Sequence, residues 1–129
     1  MVLIPHIYHV ARSLFREAQK ERRSSRWAHV RDEYLKKNPT CAACGSRTLC
    51  QVHHCEPVHI KPELELEPSN FITLCMSKRA EHHLTLGHGD NWRAWNPKVR
   101  EHAAALKADP KTSKAILADA ASIKRFAAA

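Results

Sequence analysis

The sequence predicts an α+β domain: a strand, a long loop, a second strand and a short helix at the centre, with helices on either side. Two observations predict it. Short apolar runs at residues 49–54 and 71–74 have strand length and are separated by a proline-broken acidic segment. Before and after this centre, apolar residues recur at helical spacing. A chain of 129 residues with 43% hydrophobic content fits one compact domain and leaves little room for two independent cores.

Taken in order, Val10, Ala11, Leu14, Phe15 and Ala18 place a helix over residues 8–21. Ser24 or Ser25 can cap a second helix carrying Trp27, Val30, Tyr34 and Leu35 on one face. Asn38-Pro39 ends it. The stretch CAACGSRT reads as a tight turn in which Gly45 can take positive φ. The first strand follows, and Pro57, Pro62 and Pro68 keep the next segment irregular. After the second strand a short helix is expected over residues 79–86. Asp109-Pro110 is a cap-and-first-turn signal for a last helix bearing Ile116, Leu117, Ile123 and Phe126. The chain thus divides into a basic helical extension (1–38), a central core (39–97) and a C-terminal helical extension (98–129).

The formal charge is +8 and the pI about 9.5. The excess is uneven: residues 1–40 hold nine Lys/Arg against four Asp/Glu, whereas residues 56–67 hold four Glu against one Lys. A basic N-terminal third suits a polyanion such as nucleic acid, and equally a solvated helix face that keeps the protein in solution. No apolar run approaches the ~20 residues that span a bilayer, and the start MVLIPHIYHV lacks a basic n-region. A cytoplasmic protein without a membrane partner is expected. With no export signal, five cysteines and ten histidines point to metal binding rather than a disulfide framework.

Cys41-Ala42-Ala43-Cys44 is a CxxC knuckle, followed by Cys75 and the pair His82-His83. Zinc takes four tetrahedral Cys/His ligands. Cys41, Cys44, Cys75 and His82 would tie the knuckle to the end of the second strand and contribute folding free energy directly, although His83 and His88 compete for the fourth place. Cys50 and Cys55 read as small buried residues. His53 and His54 point to opposite faces if they end a strand. His53 with His83 would then hold a divalent ion, leaving His54 to act as a base near neutral pH.

The segments VHHCEP, PSNFITLC and EHHLTLGH together resemble the HNH endonucleases, whose ββα-metal (His-Me finger) site is a strand, a loop, a strand and a helix. The resemblance covers roughly residues 22–96, including the basic lead-in RSSRWAHVRDEYLKKNPTCAACG, and GHGDNWRAWNPKV is similar to small phage-type members. It implies a ββα-metal core with a zinc-stapled knuckle. His53 and His83 match the metal ligands, His54 the general base, and Asn70 the asparagine that braces the loop. Cys41, Cys44 and Cys75 match the zinc cysteines, with His82 where a fourth cysteine is usual. The family often has Asp where His53 stands; an imidazole there favours Mn, Co, Ni or Zn over Mg.

The implied activity is metal-dependent hydrolysis of DNA to 5′-phosphate and 3′-hydroxyl ends. A histidine base makes the rate rise through roughly pH 6–7. Arg22, Arg23, Arg26 and Arg31 are expected to bind phosphates. Trp27, Trp92 and Trp95 are expected in core packing more than on bases, and Glu63, Glu65 and Glu67 facing away from DNA or towards a protein partner. One site cuts one strand, so a double-strand break requires a homodimer or two visits. Two other readings share these residues: a non-catalytic zinc-stapled DNA-binding or adaptor module, and a nuclease subunit assisting a phage packaging terminase.

Overall fold

The computed structural model describes residues 23–126. The helix expected over residues 8–21 and the phosphate contact expected of Arg22 lie outside them. The described chain is mixed α and β, with two small sheets and three α-helices.

Helix α1 (Trp27–Lys37) begins one step later than a serine cap predicts. Ser24 Oγ accepts the Arg26 N–H at 3.1 Å, and the residue adjoining the helix is Arg26 itself. At the other end the Asn38 N–H and Nδ2 both donate to the Tyr34 carbonyl, at 2.8 and 3.1 Å. Trp27 and Tyr34, seven residues apart on one face, meet Phe71 edge-on at 5.4 and 5.3 Å. The helix thereby rests on the start of the second strand.

The knuckle closes through Gly45 N–H to Cys41 O, 2.8 Å. Gly45 has φ +76°, a region in which a β-carbon is disfavoured. Ala42 N–H donates to Thr73 O at 2.8 Å, docking the turn on β2 (Phe71–Cys75). Strand β1 (Cys50–His54) pairs with β2 antiparallel, from Cys50 opposite Cys75 to His54 opposite Phe71. Every residue of β2 is buried. The loop between them contains two 3-10 turns, Pro62–Leu64 and Pro68–Asn70. Each opens on a proline, where the missing N–H costs nothing.

The helix expected over residues 79–86 is shorter and differently wound. Glu81 takes φ +46°, which a right-handed helix cannot include, so winding begins after it. His83–Gly87 then forms a π turn. Next come β3 (Ala94–Trp95), α2 (Val99–Ala108), a 3-10 turn (Pro110–Thr112), α3 (Ser113–Ile123) and β4 (Arg125–Phe126), which pairs with β3 antiparallel. The Asp109 carboxylate caps the proline turn by accepting the Lys111 N–H at 3.1 Å. Helix α3 itself starts at Ser113, and Phe126, expected on that helix, lies in β4 and is exposed. Helix α2 is not anticipated above. It buries Val99, His102, Ala103 and Leu106, an i, i+3, i+4, i+7 stripe interrupted in character by one histidine.

Phe71, Leu74, Leu86, Cys41 and Cys75 are fully buried, and Val99, Ala103, Leu106 and Ala120 complete the core. Cys50 and Cys55 are half-buried against its edge rather than inside it. Among the described residues no helix is long and apolar enough to cross a membrane.

Candidate metal centres

Cys41, Cys44, Cys75 and His82 converge so that their ligand atoms all lie within 4.8 Å of one another. The knuckle turn supplies the first two, the end of β2 the third, and the residue before the π turn the fourth. Cys44 Sγ is 3.8 Å from Cys75 Sγ, and His82 Nδ1 is 3.6 Å from both Cys41 Sγ and Cys75 Sγ. A tetrahedral zinc with bonds of ~2.3 Å to sulfur and ~2.0–2.1 Å to nitrogen sets its ligands about 3.8 Å (S to S) and about 3.6 Å (S to N) apart. The donor set therefore fits a metal ion such as zinc. Cys41, Cys75 and His82 are buried and Cys44 is exposed.

A second cluster lies on the next residue. His53, His83 and His88 each bring a ring nitrogen within 4.8 Å of the others, with ring centroids 4.8–5.1 Å apart. His83 Nδ1 meets the Gln51 amide oxygen at 2.7 Å, and His88 Nδ1 meets the Ala94 carbonyl at 2.7 Å. Oxygen accepts in both bonds, so Nδ1 carries the proton and the lone pair sits on Nε2. This is how outer partners orient metal-binding imidazoles. His53 Nε2 is buried and has no hydrogen-bond partner, which is costly unless something else occupies its lone pair. Burial drives the His53 pKa well below the ordinary value, with His83 and His88 adding to the effect. Burial, with His88, takes His83 down to about 3, and burial lowers His88 as well. All three are neutral at pH 7, the form that ligates a cation.

His88, a competitor for the fourth zinc position by sequence, joins His53 and His83 instead. Positions five apart on an α-helix of ~100° per residue diverge by about 140°. The π turn's i→i+5 winding brings them together instead.

His54 points to the other side of β1. It is half-buried, its ring 4.5 Å from Trp27 and 5.2 Å from Phe71. Its Nε2 donates to the Glu65 carbonyl at 2.9 Å, which leaves Nδ1 as the proton acceptor. Burial lowers its pKa; the Glu65 bond opposes this and the Arg23 charge reinforces it. Asn70 is buried beside it and grips Glu56 twice: Oδ1 accepts the Glu56 N–H at 2.9 Å, and Nδ2 donates to the Glu56 carbonyl at 3.0 Å. The residue acts on the chain just after His54, not on the base directly.

Of the acidic segment, Glu63 and Glu67 are exposed, whereas Glu65 is buried. It is 7% exposed, because its carboxylate accepts the Ser24 N–H at 3.2 and 3.0 Å. The Arg23 guanidinium lies 5.5 Å from the Trp27 ring centroid, a cation–π contact that holds positive charge close to His54. Arg26 is exposed, and Arg31 bonds Asp32 at 3.1 Å. Trp27 and Trp95 are half-buried. Trp92 departs from core packing: it is 53% exposed, with its ring against His83 and His88 at 5.3 and 4.9 Å. No family model, curated protein or solved structure matches this chain.

Proposed function

We propose that the protein is a metal-dependent DNA endonuclease of the HNH kind, in which His53, His83 and His88 hold one divalent ion and His54 is the general base. The observation that carries the reading is the division of labour along β1: His53 faces the imidazole cluster while its neighbour His54 stays outside it, held by a carbonyl with Nδ1 as acceptor. A purely structural metal site gives no reason for an oriented, unligated imidazole on the adjoining residue.

His54 Nδ1 takes a proton from a water molecule, and the water oxygen attacks phosphorus in line. The bond from phosphorus to the 3′ oxygen breaks and that oxygen takes a proton from solvent, leaving 5′-phosphate and 3′-hydroxyl ends. A bound ion supplies Lewis-acid stabilisation of the phosphoryl charge and the leaving oxygen. The Glu65 carbonyl fixes the His54 tautomer, and Asn70 fixes the backbone that follows. Because His54 is held below the ordinary imidazole value, it is deprotonated at neutral pH. The rise in rate accordingly lies lower than that of an unperturbed histidine. Three neutral nitrogen donors favour Mn, Co, Ni or Zn over Mg. Cys41, Cys44, Cys75 and His82 would hold a structural zinc. Arg23 and Arg26 would contact phosphates, in a binding mode that weakens as salt rises.

The test is cleavage of supercoiled plasmid by the wild type and His54→Ala in separate Mg, Mn, Ni, Co and Zn buffers at low salt. Nicking or linearisation by the wild type alone is expected. Retardation of the DNA by both proteins without cutting would instead identify a zinc-stapled binding module. Cutting that appears only with an added partner protein would identify an accessory subunit.

A further inference from the structure

Asn96 has no part in the proposed reaction, yet it is fully buried and its side-chain polar atoms and N–H are all engaged. Its Nδ2 donates to the Leu86 carbonyl at 3.0 Å and to His102 Nδ1 at 2.8 Å. Its backbone N–H donates to the Gly87 carbonyl at 2.9 Å, and its Oδ1 accepts the Lys98 N–H at 2.9 Å. Since His102 Nδ1 accepts from the amide, the ring proton is on Nε2, which donates to Asp119 Oδ2 at 2.8 Å. The bonds form a continuous line from α3 (Asp119) through α2 (His102) and Asn96 to the last two carbonyls of the π turn.

Those two carbonyls sit where control of the imidazole cluster is concentrated. His83 opens the π turn and His88 follows it, and the two face each other because of its wide winding. The backbone of Gly87 is pressed against the third member: a β-carbon at that position would lie 3.0 Å from His53 Nδ1 and 3.1 Å from its Cε1. Two residues before Asn96, the Ala94 carbonyl orients His88. The terminal carbonyls of a helix have no partner within it, and here one side chain and its own N–H satisfy two of them.

We propose that Asn96, backed by His102 and Asp119, is a positioning residue that holds the π turn in the winding that converges His83 and His88 on His53. The C-terminal helices thereby set the affinity of the three-imidazole centre for its ion. The inference rests on reading that centre as a metal site, and the experiment separates the two claims.

Full-length protein is titrated with Co2+, whose thiolate charge-transfer band reports the cysteine cluster; absorbance and bound Co2+ gained with no further growth of that band report the imidazole centre. The wild type should bind two equivalents. Asn96→Ala should keep the thiolate band at one equivalent and bind the second ion about 10–100-fold more weakly, the usual cost of losing an outer partner. Asp119→Ala, altered at a half-exposed side chain, should weaken the second site in the same direction by less. If Asn96→Ala gives no thiolate band because it fails to fold, Asp119→Ala decides. A weakened second site supports the proposal, and an unchanged one overturns it. A folded Asn96→Ala with affinity within about twofold of wild type overturns the proposal. A wild type that takes up one ion only, on the thiolates, overturns the imidazole centre and this inference with it.

Discussion

The cysteine cluster and the imidazole cluster are built from the same stretch of chain and differ in what they leave unfinished. Cys41, Cys44, Cys75 and His82 offer four donors at tetrahedral separations, with three of them buried. His53, His83 and His88 offer three. A closed set of soft donors suits a structural ion, and a set of three imidazoles leaves coordination positions for water or substrate. On the proposed reading, one cluster serves folding and the other chemistry.

Cys75→Ala should break this contrast most severely. It removes a fully buried ligand at the end of β2, and structural zinc contributes about 10–16 kcal/mol in small domains. Loss of cooperative unfolding by circular dichroism is expected, and a chelator should do the same to the wild type. A variant that melts like the wild type would remove the staple from the account. His54→Ala should act on chemistry alone, with cleavage falling about 10²–10⁴-fold while both ions and the melting temperature stay in place. Loss of an ion in that variant would move His54 into the metal site.

Asn70→Ala strands the N–H and carbonyl of Glu56. A cost of about 1–3 kcal/mol follows, visible as a drop of several degrees in melting temperature, with slower cleavage and unchanged metal affinity. Gly87→Ala is the smallest and most selective change. Its methyl group would crowd His53 and Leu74 Cδ1, 3.1 Å away. At about 1 kcal/mol of overpacking the imidazole centre should lose roughly fivefold in affinity, while the thiolate band stays intact. Equal weakening of both clusters would show that they do not act separately.

The two central strands were legible because prolines and the CxxC turn bracket them, and the His53-His54 pair because a strand sends neighbours to opposite faces. The third imidazole was not. Its place depends on the winding of one turn: a π turn after the left-handed Glu81 brings His88 to His53. The burial of Glu65 was not legible because the N–H that holds it belongs to Ser24, 41 residues earlier. Helix α2 carried a legible stripe, but His102 stands at one of its buried positions. A histidine there makes sense only once Asn96 and Asp119 are seen on either side of it.

His82 ends one cluster and His83 begins the other, so a single peptide bond is the border between two candidate centres. An ion that draws His82 towards the cysteines fixes the backbone at residue 82, and with it the direction in which residue 83 leaves. Loading of the first centre would reduce what the second must spend on ordering itself. By linkage the second would return the same factor to the first. Scarcity of one metal would then be felt at both centres.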